Sequence, residues 1–111
     1  MTVQFLPEVV DFFEELALIL HEKGYFGSYE FARKYVDELI EGIKISLPTI
    51  YNKPAPKYFD KYGKGMKYAV FKKNRRTSWY VFFKKYREND DDIFLVKYIA
   101  NNHVIAKYLK S

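Results

Sequence analysis

The chain has 111 residues, a formal net charge of +5, 49% hydrophobic and 30% charged residues, which is the composition of one folded domain and excludes both a disordered chain and a second catalytic domain. It contains no cysteine, which excludes disulfides, cysteine-ligated zinc or iron–sulfur centres and thiolate catalysis. No apolar run approaches the roughly 20 residues of a membrane span, and Met1-Thr2-Val3-Gln4-Phe5 lacks the basic start of a signal peptide, so a cytoplasmic protein with no membrane partner is expected.

In chain order, residues 3–6 form a short β-type segment that ends at Pro7, a residue tolerated in the first turn of a helix. Val9, Phe12, Phe13, Leu16, Ile19 and Leu20 recur at three- and four-residue spacing, which predicts an amphipathic helix over 7–23 stopped by Gly24. Ser28 is the expected N-cap of a second helix over 29–46. Its apolar stripe is Ala32, Tyr35, Val36, Leu39, Ile40, Ile43 and Leu47, with Pro48 beyond it. So short a link predicts an antiparallel helical hairpin. Residues 48–66 hold three prolines, two glycines and the lysines Lys53, Lys57, Lys61 and Lys64; they read as a flexible basic arm or lid with a helical turn near 57–62. Three strands are then expected, at 67–73, 77–85 and 93–99, separated by polar turns at 74–76 and 88–92. A short helix over 103–109 ends the chain.

This order predicts a single α+β domain over 1–111, an antiparallel β-sheet packed on one face by the N-terminal helical hairpin. Little chain is left for the opposite face, which is expected to stand open to solvent. Charge sharpens that expectation. Residues 1–45 hold four basic and nine acidic residues, and residues 46–111 hold fifteen basic and five acidic. Of the 22 aromatic residues, 13 lie from Tyr58 onward. Cations interleaved with rings suit a surface for RNA or single strands, where phosphates are neutralised and bases stack. They equally suit an ordinary sheet core.

The element order, the strand pair Ser78-Trp79-Tyr80-Val81-Phe82-Phe83 and Asp92-Ile93-Phe94-Leu95-Val96-Lys97-Tyr98-Ile99, and the histidine that follows it resemble the RelE/ParE superfamily, the toxin halves of bacterial type II toxin–antitoxin pairs. The resemblance implies ribosome-associated cleavage of messenger RNA without metal or other cofactor, and an acidic antitoxin as partner. It also leaves open a gyrase-directed inhibitor that needs no catalysis; a non-enzymatic module binding nucleic acid or protein, and a homodimer, stand beside these. Many members carry an arginine in the middle strand, where this chain places Trp79 or Tyr80. Here the histidine follows Asn101-Asn102 rather than glycine, and no arginine follows it.

On this reading His103 moves a proton, and Arg76, at the mouth of the second strand, stands in for the missing guanidinium as the second catalytic candidate. Lys72, Lys73 and Arg75 form the densest basic run and are candidate phosphate contacts, as are Lys84 and Lys97. Tyr80 and Tyr98 are candidates for stacking on bases. Trp79 and Tyr80 must face opposite ways, with Trp79 assigned to the core and Tyr80 to the surface. The carboxylates Asp90-Asp91-Asp92 read as a solvated turn rather than a metal site. No phosphate loop, dinucleotide fingerprint or nucleophile elbow is present.

Overall fold

The computed structural model describes residues 1–105, 108 and 109. Strand β1 (Thr2–Phe5) leads into helix α1 (Pro7–Glu22), then α2 (Tyr29–Ser46), β2 (Lys53–Pro54), a 3-10 helix (Lys57–Tyr62), β3 (Lys67–Lys72), β4 (Ser78–Glu88), β5 (Asp91–Asn101) and the single turn α3 (Asn102–Ile105). Of the final helix expected over 103–109, positions 106 and 107 lie outside the described residues.

Local chemistry fixes the helical hairpin. Gly24 has φ of 76°, its N–H donates to the His21 carbonyl, and the Tyr25 N–H donates to the Leu20 carbonyl, both at 3.0 Å. This pair of reversed bonds satisfies the orphan carbonyls of the last turn and needs a left-handed residue at Gly24. It also sends Tyr25 and Phe26 across the end of α1. The Ser28 side chain then accepts from the Phe31 N–H at 3.2 Å, which caps α2 as expected.

The sheet has five strands in the order β1-β5-β4-β3-β2. β3, β4 and β5 form the expected antiparallel meander, whereas β1 joins it parallel to β5, so the sheet is mixed. β4 and β5 run longer than the sequence pattern suggests. They close through Asn89 and Asp90, both at positive φ (51° and 62°), a two-residue turn whose twist matches that of the strands it joins. The aspartates beside the turn are engaged in ion pairs. Asp92 meets Arg87 at 2.9 Å and Lys85 at 3.6 Å, and the Arg87 hydrogen bond holds its carboxyl below the usual range. Asp91 accepts from the Thr2 hydroxyl at 2.6 Å.

Between Phe82↔Tyr98 and Phe83↔Val96 the register slips by one, leaving Lys97 as an extra residue in β5. This bulge lets Phe94, Val96 and Ile99 share one face, although a regular strand would put Ile99 opposite the other two. They pack with Ala69, Trp79, Val81 and Phe83 against Val9, Phe13, Leu16 and Ala17 of α1 and Val36, Leu39 and Ile43 of α2. Each fully buried aliphatic or aromatic side chain here contributes about 1.5–3 kcal/mol. The helix α1 stripe differs from expectation at one point: Ile19 is 42% exposed and Ala17 is fully buried. The α2 stripe lies where the spacing puts it.

The opposite face is not open. A second apolar cluster sits on it, made of Phe59, Met66, Tyr68, Phe82 and Ala100, with Ala55, Tyr80, Tyr98, Tyr108 and Leu109 packed around it. Residues 48–66 are therefore no free arm. Their 3-10 helix plants Phe59, 0% exposed, on the Phe82 ring at 4.3 Å. Tyr62 stacks flat on Tyr98 at 3.8 Å, and Tyr58 on Tyr108 at 3.9 Å. The prolines and glycines that read as flexibility serve a tight path instead: a Cβ at Gly63 would approach Lys97 Cδ to 2.9 Å and Met66 Sδ to 3.1 Å. Among the described residues no helix is long and apolar enough to cross a membrane.

Candidate nucleic-acid interface

The candidate residues fall into two groups. Lys72, Tyr80, Lys84, Lys97 and Tyr98 belong to the sheet face that the 3-10 helix covers. Lys72 stays exposed at the edge, and the other four are partly buried. The Lys84 ammonium donates to the Lys64 carbonyl at 3.2 Å. The Tyr98 ring has Tyr62 on it, and burial raises its phenol well above the usual tyrosine range, with Tyr62 adding to the rise. Lys97 lies beside Tyr86, 5.5 Å from the ring centroid, and its hydrogen bond lowers the Tyr86 phenol. Tyr80 is half-buried beside Tyr68. Trp79 is 3% exposed and in the helix-facing core, as assigned, with Tyr80 on the opposite face as the alternation requires.

The second group, His103, Arg76, Arg75 and Lys73, gathers at one end of the sheet. Two consecutive asparagines do the gathering. The Asn102 side chain donates to the Arg76 carbonyl at 3.1 Å and accepts from the Ser78 N–H at 2.9 Å. The Asn101 side chain accepts from the His103 and Val104 N–H groups. The β3–β4 turn is held by a third asparagine: Asn74 accepts from the Arg76 and Thr77 N–H groups, both at 2.9 Å. The turn carrying the two arginines is thus stitched to the start of α3. Arg75, Arg76 and His103 are exposed. Lys73 points the other way from Lys72, with its ammonium 5.1 Å from the Tyr35 ring centroid.

Beside this end lies a cleft of about 410 Å³, within the size range of small-ligand sites. Its apolar wall is Leu16, Ile19 and Leu20 of α1, and its rings are Tyr25, Phe26, Tyr35 and Trp79. The Trp79 indole N–H donates to the Tyr35 hydroxyl at 3.1 Å, which fixes both rings. Lys23, Asn74, Thr77, Asn101 and His103 form the polar rim. Sequence reasoning missed Lys23, Asn74 and Asn101 here, because they are far apart in the chain and belong to no motif. The run Asn101-Asn102 next to a histidine was the one available signal. A larger furrow of about 500 Å³ along α2 holds none of the candidate residues.

No group of three or more His, Asp or Glu side chains among the described residues can hold a metal ion. No family model, curated protein or solved structure matches the chain.

The asparagine stitching gives a direct test. Asn102→Ala removes the acceptor of the partly buried Ser78 N–H and the donor to the exposed Arg76 carbonyl, and is expected to cost about 1–3 kcal/mol in urea unfolding, mostly through Ser78. Asn102→Asp keeps the acceptor for Ser78 and should lose less. Equal stability of all three proteins would mean that these bonds do not tie the turn to α3.

Proposed function

We propose that this chain is an RNA-directed toxin of the RelE/ParE kind, an endoribonuclease whose site is the His103 end of the sheet and whose natural partner is an acidic antitoxin. The observation that carries the reading is the pairing of the Arg75-Arg76 turn with the start of α3 through Asn102. It supports a proton-transferring imidazole and two guanidinium-bearing residues acting at one place, which is what cleavage by an internal nucleophile requires. In that reaction the ribose 2′-oxygen bonds to the adjacent phosphorus and gives up its proton. The phosphorus–5′-oxygen bond breaks, and the departing oxygen takes a proton. His103 serves one of these transfers, and Arg76 offsets the charge that builds on the phosphoryl oxygens.

Charge is arranged to suit a polyanion. The helical hairpin carries Glu8, Asp11, Glu14, Glu15 and Glu22 on α1 and Glu30, Asp37, Glu38 and Glu41 on α2. The opposite layer shows solvent Lys53, Lys57, Lys61 and Lys64.

A second reading is binding without cleavage. Two observations favour it: no hydrogen bond orients the His103 ring among the described residues, and Tyr98 is already stacked by Tyr62. Inducible expression in bacteria separates the two. The toxin reading expects growth arrest with fragmented messenger RNA. Normal growth with intact messenger RNA would overturn it. Arrest with a DNA-damage response and intact RNA would point to gyrase instead.

A further inference from the structure

We infer that the cleft under the His103 end holds one nucleobase of a single-stranded RNA, with the neighbouring phosphate at the Arg75-Arg76 turn. The inference rests on the RNA reading above and deepens it by assigning a base subsite on the helix side of the sheet, away from the covered sheet face.

Three features of the cleft argue for a base. Its walls are flat rings and aliphatic side chains, the surroundings in which an unstacked base recovers the contacts it loses on leaving its strand. Trp79 and Tyr35 are locked to each other by their hydrogen bond, and Phe26 lies against Tyr35 at 5.4 Å, so this wall is preformed. Second, the rim offers donors and acceptors that the fold does not use. The Asn74 and Asn101 oxygens are spent on backbone N–H groups. Their amide nitrogens, the Thr77 hydroxyl and both ring nitrogens of His103 have no hydrogen-bond partner among the described residues. Such a mixed set matches the edge of a base, which presents donors and acceptors side by side. Third, the described lining contains Lys23 and His103 and neither Asp nor Glu, although α1 is otherwise acidic. The cations of the adjoining turn continue this sign toward solvent, where the phosphate of the same nucleotide would lie. A cleft of about 410 Å³ takes one base rather than a base pair in its stack, so the ligand is a splayed single strand.

The chain has one tryptophan, and it is Trp79 in the cleft wall, so its emission reports occupancy. The purified full chain is titrated with a short single-stranded oligoribonucleotide and with an abasic oligomer of the same length and charge. A saturable change in Trp79 emission is expected with the first alone, and binding about ten-fold weaker for the abasic strand. Tyr25→Ala alters a side chain that is 70% exposed; it should weaken the base-bearing oligomer several-fold and leave the abasic one unchanged. Equal affinity for both oligomers with unchanged Trp79 emission would overturn the base subsite while leaving RNA binding intact. Failure of both oligomers to bind would overturn the RNA reading itself. A tyrosine variant that keeps the full preference for bases would also overturn the subsite.

Discussion

Phe59→Ala should be the most damaging single truncation on the sheet face opposite the helices, costing about 3–5 kcal/mol. Phe59 is fully buried, stacks on Phe82 at 4.3 Å and meets Tyr58 edge-on at 5.0 Å. Its removal leaves a void that the surroundings fill poorly, because Tyr68 is fixed in the sheet between Lys53 and Phe82. Domains of this size have total stabilities of about 5–15 kcal/mol, so the loss is a large share. Urea unfolding measures it. Tryptic cleavage gives an independent readout, since Lys57, Lys61 and Lys64 sit on the segment that Phe59 anchors. The variant should be cut there much faster than the parent. A change below about 1 kcal/mol with an unaltered tryptic pattern would mean that the segment rests on the sheet without being fastened to it.

His103→Ala should lower RNA cleavage by about 10²–10⁴-fold, the usual contribution of a positioned acid or base. Binding of a strand made uncleavable by a 2′-deoxy substitution should weaken only a few-fold, because the variant loses a rim contact to the base and no phosphate contact, so the drop in cleavage should far exceed the drop in affinity. Arg76→Glu should behave differently. It should weaken that same strand and lower the slope of log affinity against log salt by about one phosphate contact or more. Undiminished cleavage by His103→Ala would remove the histidine from the chemistry. Cleavage absent from the parent as well, with the salt dependence intact, would leave the binding-only reading standing.

The helical hairpin was legible because its signals are local and repeated. Gly24, Ser28 and the stripe from Ala32 to Leu47 each specify the same structure. The meander was legible for the same reason, down to the opposite orientations of Trp79 and Tyr80. The covered sheet face was not. Phe59 and Met66 are single apolar residues in a stretch dominated by proline, glycine and lysine, and one buried residue has no period to detect. The parallel pairing of β1 with β5 escaped too, since pairing between residues some ninety positions apart leaves no trace in local pattern. At the site, composition drew attention to His103 and Arg76 separately. That Asn102 ties one to the other is a contact across 26 positions, and only the fold displays it.

The single supernumerary residue at Lys97 acts as a phase shifter for the end of the chain. Upstream of it, even-numbered positions of β5 look toward the helices; downstream, odd-numbered ones do. Drawing Lys97 into a regular ladder would turn Ile99 outward and Tyr98 inward, and the closing segment with its imidazole would emerge half a pleat out of step with the arginine turn, whereas excising it would leave Ile99 and Tyr98 on their present faces. The local widening of the ladder around Lys97, rather than any side chain, therefore decides which layer of the molecule the terminal histidine serves.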